Sequence, residues 1–368
     1  MKIQTTKTKL LESVLFSTRA ITSKTTNYIL GGVMLEADKN LNIYSTDLET
    51  SIKTSIGVKV LDKGKIIIPS KILINILRNF PEAKINLETD PETNQLKITC
   101  QNAVFNLNTL PLEEFPQFPE IKKDNSFTIK LNKFKNLIRK TQRSVSEDEG
   151  RVVLTGIRCE ISKGLIKMIS TDSYRLSYIE EEIDLGDKEI GVIIPGKVLD
   201  NISKLESGDE EIEVNIEENQ ISFAITDKNL KTIIVSRLLS GKFPDHNQLV
   251  PKNLKHSVII DKQKILDVVR RISSIAQDNI PIKFDFLKGN LRVSMDIKEV
   301  GSSNEELEIP YGEEEMSVAF NPQFLLDGIN MIDDEKITLE INDPLKPILI
   351  KSKKEPNLFY LLMPIRIS

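Results

Sequence analysis

Short alternating or β-branched runs, each followed by a helical stripe and then by further runs, recur along the whole chain. Lys2-Ile3-Gln4-Thr5 has the alternation of a strand, and Leu10, Leu11, Val14 and Leu15 then mark one face of a helix. Val33-Met34-Leu35 and Leu41-Asn42-Ile43-Tyr44 predict a hairpin turning near Asp38-Lys39-Asn40. Ile52 to Val60 predicts one more extended segment. The run Ile66-Ile67-Ile68 stops at Pro69, whose fixed φ suits the start of a helix striped by Ile72, Leu73, Ile76 and Leu77. Strands over 84–89, 95–100 and 103–109 follow.

The same order then returns. Ser126–Ile129 predicts a strand, and Phe134, Leu137 and Ile138 stripe a helix. Val152–Ile161 and Leu165–Ser170 predict a hairpin with Lys163-Gly164 at its turn, and Arg175–Ile179 continues the sheet. After Ile193-Ile194-Pro195 comes a helix lined by Val198, Leu199 and Ile202, and then strands near 211–216, 220–225 and 230–236. A third pass places Ile265, Leu266, Val269 and Ile272 on one helix and Phe324, Leu325, Ile329 and Ile332 on another. Its strands are 258–260, 282–286, 291–295, 316–320, 336–341, 346–351 and 358–363.

Local signatures mark the repeat. Thr46-Asp47 returns as Thr171-Asp172, about 125 residues on; Pro69-Ser70-Lys71 returns as Pro195-Gly196-Lys197 and as Asn321-Pro322-Gln323; Phe115-Pro116 returns as Phe243-Pro244. Polar, turn-rich stretches at Pro119–Ser126 and Pro244–Ser257 separate the passes, giving domains over 1–122, 123–252 and 253–368. A repeated unit generates a curved or closed surface, whereas an enzyme needs one asymmetric pocket.

Composition narrows the function. With 368 residues the chain is too long for one core and suits three domains of the commonest size. A net charge of -4 makes no global case for nucleic acid, but its distribution does. Basic residues such as Lys9, Arg19, Lys71, Arg78, Arg139, Lys140, Lys197 and Arg270 fall on predicted helices and their flanks. Acidic runs such as Glu180-Glu181-Glu182 and Glu313-Glu314-Glu315 fall elsewhere. Helices sharing one face would make that face positive; mixed charge for solubility is the plainer alternative. Cys100 and Cys159 lie in apolar strands and read as buried reduced thiols of a cytoplasmic protein. No secretory signal or membrane span is legible. The two histidines, His246 and His256, fall in or near a predicted linker. No zinc spacing, nucleophile elbow, phosphate loop or dinucleotide fingerprint is present, so no cofactor or metal is expected. Asp47 and Asp172 would be paired acids only if repeat equivalence did not put them in separate domains.

Several signatures stand in order: Tyr28-Ile29-Leu30-Gly31-Gly32, Ser45-Thr46-Asp47-Leu48-Glu49, Thr109-Leu110-Pro111 and Phe115-Pro116. They continue with Ser170-Thr171-Asp172-Ser173-Tyr174-Arg175-Leu176, Gly241-Lys242-Phe243-Pro244-Asp245 and Met363-Pro364-Ile365-Arg366. In these the chain resembles the bacterial DNA polymerase III β subunit family, the sliding clamps, over essentially its whole length. The resemblance implies an α+β fold, the DNA clamp fold: three repeated clamp domains, each with two inner helices backed by antiparallel sheets. It implies a head-to-tail homodimeric ring around duplex DNA, non-catalytic and held without sequence readout. It also implies a bacterial cytoplasmic protein that associates with the nucleoid during replication.

The resemblance carries site residues as well. DNA contact is expected at Lys24 and Lys71, at their second-domain parallel Lys197, and at Arg139 from its helix face. A partner cleft is expected from Leu154, Thr171, Ser173, Tyr174, Arg175, Leu176, Pro244, Leu249, Met363, Pro364, Ile365 and Arg366. Short motifs of the replicative DNA polymerase, the ATP-driven clamp loader, repair polymerases and mismatch-repair proteins would dock there. Ser173 and Tyr174 depart from the Gly and His common in the family, and Gln248 stands where Arg is frequent. The dimer contact is expected from Phe105 and Leu107 on one side and Leu266, Val269, Arg270, Ile272 and Ser273 on the other; core packing is the competing reading for the apolar helix residues. Thr171-Asp172 also reads as a turn cap. A repeat scaffold that binds peptides alone, without DNA, remains the rival.

Overall fold

The structure, a computed structural model, describes residues 1–21, 27–90, 92–122, 125–183, 189–205, 210–227, 230–251, 254–276 and 280–366. The first pass forms β1 (Lys2–Thr6), α1 (Lys7–Ser17), β2 (Gly32–Ala37), β3 (Leu41–Thr46), β4 (Thr50–Ile56) and β5 (Lys59–Asp62). It ends with β6 (Gly64–Pro69), α2 (Ser70–Asn79), β7 (Lys84–Asp90), β8 (Gln95–Cys100) and β9 (Ala103–Asn108). The second forms β10 (Asn125–Lys130), α3 (Leu131–Gln142), β11 (Gly156–Ser162), β12 (Leu165–Thr171) and β13 (Arg175–Glu182). Then come β14 (Ile190–Pro195), α4 (Gly196–Ser203), β15 (Glu211–Ile216), β16 (Gln220–Asp227) and β17 (Leu230–Arg237). The third forms β18 (His256–Asp261), α5 (Lys262–Ser273), β19 (Ile282–Leu287), β20 (Asn290–Ile297) and β21 (Gly301–Glu308). It closes with β22 (Met316–Phe320), α6 (Pro322–Met331), β23 (Lys336–Ile341), β24 (Ile348–Lys351) and β25 (Leu358–Leu362).

Every sheet is antiparallel, and two of them join neighbouring repeats. The chain packs as two compact units, Met1–Phe134 with Lys204–Leu238, and Lys135–Ser203 with Leu239–Ser368. In the first unit, eight strands run β10-β15-β16-β17-β4-β3-β2-β6. Its seam is the pairing of β17 with β4, from Leu230 opposite Ile56 to Ser236 opposite Thr50. In the second, eight strands run β14-β11-β12-β13-β25-β24-β23-β18, with the seam at β13 and β25, from Arg175 opposite Leu362 to Ile179 opposite Leu358. A five-stranded sheet, β5-β1-β7-β8-β9, completes the first unit, and a four-stranded one, β21-β20-β19-β22, the second.

Helices pack by their apolar stripes. In α1 the buried set is Leu10, Ser13, Val14, Phe16 and Ser17, while Leu11 and Leu15 are only half-buried, so the face is turned from the one the sequence predicts. The reason is polar. Ser17 and Thr54 share a buried hydrogen bond of 2.7 Å that holds this side of α1 on β4. Asp261 caps α5 by accepting from Lys264 N at 3.0 Å, and Asn321 caps α6 through Gln323 N (2.9 Å) and Phe324 N (3.1 Å). Five apolar side chains of α5, Ile265, Leu266, Val268, Val269 and Ile272, are buried, each worth about 1.5–3 kcal/mol.

Three elements differ from expectation. Ile52–Val60 is two strands in different sheets, β4 and β5, divided at Gly57. Val152–Thr155 belongs to 3-10 turns over Glu149–Thr155, because Asp148 caps Gly150 N at 2.9 Å; the strand begins at Gly156. β21 has no counterpart in the sequence reading. Its alternation is polar, as an edge strand tolerates. No helix among the described residues is long and apolar enough to cross a membrane.

Candidate functional site

The expected partner cleft is centred on the turn from β12 into β13, beside the end of β25. The turn is set by Asp172, whose Oδ1 accepts from Tyr174 N (2.9 Å) and Arg175 N (3.0 Å), while Ser173 N donates to Thr171 Oγ1 (3.1 Å). The Thr171 hydroxyl in turn donates to Arg175 O at 2.7 Å. Ser173 sits at φ 81°, in the left-handed region. The turn-cap reading of Thr171-Asp172 therefore holds. Met363 N donates to Tyr174 O at 2.8 Å, and Ile365 N to Ala319 O at 2.8 Å, so the segment after β25 is pinned along the turn.

Leu154 and Leu176 belong to a buried apolar cluster with Ile169, Ile193, Phe243, Leu349 and Leu361. Among the expected cleft residues, Tyr174 (62% exposed), Leu249 (44%), Met363 and Pro244 are exposed. Pro364 and Ile365 are half-buried and Arg366 is exposed. Tyr178 stacks on Phe359 at 4.7 Å and lies 5.5 Å from His246, which anchors the turn leading to Leu249. Burial pushes the His246 imidazole below its ordinary value, so it is neutral at pH 7.

Arg175 is placed differently from a surface ligand. Its Nε donates to Asp172 Oδ2 at 2.9 Å, its Nη1 to Asp327 Oδ2 at 2.5 Å, and its guanidinium lies 4.1 Å from the centre of the Phe324 ring. Burial opposes the charge, but the Tyr360 hydroxyl and the carboxylates of Asp327 and Asp172 raise its pKa further and keep it protonated. Arg175 thus braces the turn against α6. The tie from Arg175 to Asp327 escaped the sequence reading, since nothing local links residues 152 positions apart, and Phe324 was legible only as part of a helix stripe. These groups line a 620 Å³ pocket with Arg143, Ser146, Asp148, Arg151 and Tyr174.

The remaining expected site residues separate by environment. Lys71 and Lys197 are exposed and occupy the same place, second residue of α2 and of α4. Arg139 on α3 donates to Asn136 Oδ1 (2.8 Å) and Asp333 Oδ2 (2.5 Å). Beside it Lys140 is fully buried, paired with Glu355 at 2.6 Å and Asp333 at 2.8 Å. Lys24 lies outside the described residues. Phe105 (40% exposed) and Leu107 are on β9, an edge strand that also exposes Val104 (53%). Leu266, Val269 and Ile272 are a correction: they are core residues of their own unit, turned inward by the α5 stripe. Only Arg270 and Ser273 of that group keep accessible surface.

Repeated helix pairs on antiparallel sheets, with exposed aliphatic and aromatic side chains near a repeat junction, define a binding scaffold. Family models of the N-terminal, central and C-terminal domains of the DNA polymerase III beta subunit match residues 1–119, 128–245 and 247–366. The beta sliding clamp of Bacillus subtilis is 29% identical over 381 residues, covering 100% of both chains, and that of Rickettsia felis is 30% identical over 97% of each. Among solved structures, the Bacillus subtilis clamp matches with a TM-score of 0.93 at 28% identity, covering 100% of both chains. A Bartonella birtlesii clamp crystallised with griselimycin matches at 0.93 and 26%, again over 100% of both. The chain belongs to the DNA polymerase III β-subunit family, the bacterial sliding clamps. It is accordingly a non-catalytic processivity factor that tethers replication proteins to DNA.

Proposed function

We propose that two copies close head to tail into a ring around duplex DNA, with domains over 1–122, 123–252 and 253–368. The observation that carries this is a pair of open sheet edges. β9 ends one sheet with Val104 and Phe105 exposed, and β21 ends another with its outer backbone unpaired by any strand among the described residues. Open edges with apolar residues are liabilities unless covered. Pairing β9 of one copy with β21 of the next covers both, and two such contacts close a ring. Arg270 and Ser273 keep accessible surface on α5, and Arg271 and Arg292 hold Glu305 and Glu306 of β21 in place (2.6 and 2.8 Å).

Lys71, Lys197, Arg139 and Lys24 then serve as phosphate contacts that read no sequence, so the ring slides. The cleft around Tyr174, Leu249 and Met363 takes short apolar and aromatic segments of the replicative polymerase, the ATP-driven loader, repair polymerases and mismatch-repair proteins. Griselimycin, found bound to the Bartonella clamp, is proposed to occupy the same cleft here. The setting is the bacterial cytoplasm, at the nucleoid during replication. Sedimentation equilibrium tests the ring contact: the wild type is expected at twice the 41.7 kDa chain mass and Phe105→Asp at the chain mass. A monomeric wild type at micromolar concentration would sink the proposal.

A further inference from the structure

The cleft turn occurs twice in the chain, and the two copies differ in one instructive way. In the first, Asp47 Oδ1 accepts from Glu49 N (3.2 Å) and Thr50 N (2.7 Å), as Asp172 does in the second. Leu48 and Ser173 hold the same place at φ 78° and 81°, so both turns bear the same backbone strain. The side chains differ. Leu48 is apolar and exposed, whereas Ser173 Oγ accepts from Arg151 Nη1 at 2.7 Å.

Arg151 is fastened elsewhere too. Its Nε donates to Asp148 Oδ2 at 2.9 Å and its Nη2 to the Asp172 carbonyl at 3.4 Å. The Gly150 amide and the Arg151 guanidinium hold the Asp148 carboxyl below its ordinary value, so it is charged at neutral pH. Asp148 N donates to Ser146 Oγ at 3.1 Å, and Ser146 N to Leu154 O at 2.9 Å. Hydrogen bonds therefore run from Leu154, through the 146–151 loop, to the turn that presents Tyr174. The other side of that turn is fixed by Met363 N on Tyr174 O.

We propose that Arg151 and Ser173 form a latch that positions the Tyr174 wall and sets the affinity of the cleft for its partners' segments. Both are positioning residues. Nη1 and Nε are committed within the protein, so the effect of Arg151 on a bound segment is geometric. The inference rests on the cleft being the partner site.

The test is calorimetric titration of the full-length chain with griselimycin, alongside melting temperature. Ser173→Ala keeps the Cβ and its left-handed strain while removing the acceptor, which Ser173→Gly would not. Ser173→Ala and Arg151→Ala are each expected to bind about three- to tenfold more weakly, the worth of one hydrogen bond to a charged group at a half-exposed site. The double variant is expected to lose no more than the weaker single, at an unchanged melting temperature. A merely structural role would lower the melting temperature instead. Either single variant at wild-type affinity, or losses that add, would overturn the latch while Tyr174→Ala and Met363→Ala still weaken binding. Wild-type affinity in those two cleft variants would overturn the cleft reading and the latch with it.

Discussion

Replacing Arg175 by Ala should loosen one unit of the chain and leave the other as an internal reference. The guanidinium separates Asp172 and Asp327, whose side chains are only 12% and 8% exposed. Without it Asp172 loses the Arg175 cation and Asp327 is left with the longer Arg143 pair at 3.4 Å, so two nearly buried carboxylates are under-compensated. Removing one member of such a buried set typically costs about 3–5 kcal/mol, since the remaining charge keeps its desolvation penalty. The lost face-on contact with Phe324 adds to this. At a urea dependence of about 2 kcal/mol per molar, the midpoint should fall by roughly 2 M. The cysteines supply the assay. Cys159 is buried in the unit that contains Arg175, and Cys100 is buried in the other. Pulse alkylation along a urea series reads each midpoint separately. The expected result is a large fall for Cys159, a small one for Cys100, and partial recovery when Asp327→Asn removes one of the opposed charges. A Cys159 midpoint within about 0.3 M of wild type would refute the reasoning.

Gly328→Ala in α6 places a Cβ 2.4 Å from the Tyr360 ring, itself fixed by its hydroxyl on Phe324 O at 2.8 Å. Overpacking of this kind should cost about 1–3 kcal/mol, read as a lower melting temperature. Acid should destabilise the unit holding Asp333 and Asp334. Burial pushes Asp333 up, but hydrogen bonds from Lys140 and Arg139 outweigh it and hold the carboxyl below its ordinary value. The Ser352 hydroxyl, then Lys354, take Asp334 down to about 2. Both folded values lie below the unfolded one, so the stabilisation is complete above about pH 4 and fades as pH falls towards 2. Melting temperatures across that window should drop less steeply in Asp334→Asn. Finally, burial pushes the Cys159 thiol up to about 12, so a thiol reagent at pH 8 should leave it unmodified in the native chain. Rapid native modification would contradict that placement.

The legible parts of this fold are those with local causes. Helices α3 to α6 follow their stripes, whereas α2 buries Leu73 and Leu77 and leaves Ile72 exposed and Ile76 half-buried. The Lys163-Gly164 turn, with φ of 52° and 72°, follows from a glycine that adopts the left-handed region freely. The seams between repeats were not legible. A β-branched run such as Thr232-Ile233-Ile234-Val235 announces a strand but not that its partner is β4, nearly two hundred residues earlier. β21 escaped because an edge strand needs no apolar face, and Val152-Val153 misled because a nearby Asp cap outweighs β-branching. At the site, the Asx turn of Asp172 could be read from Thr171-Asp172-Ser173, whereas the brace from Arg175 to Asp327 could not. An apolar stripe says that Leu266, Val269 and Ile272 are buried; only packing says that they are buried within their own unit.

The central claim is encirclement, and the most direct measurement is retention on circular against linearised duplex DNA after loading by the cognate loader and washing at high salt. Salt screens phosphate contacts and leaves topological linkage intact. The account predicts a chain that stays on circles and runs off linear DNA quickly. Equal loss from both, with loading confirmed and the dimer intact, would contradict it and favour a scaffold that binds peptides alone.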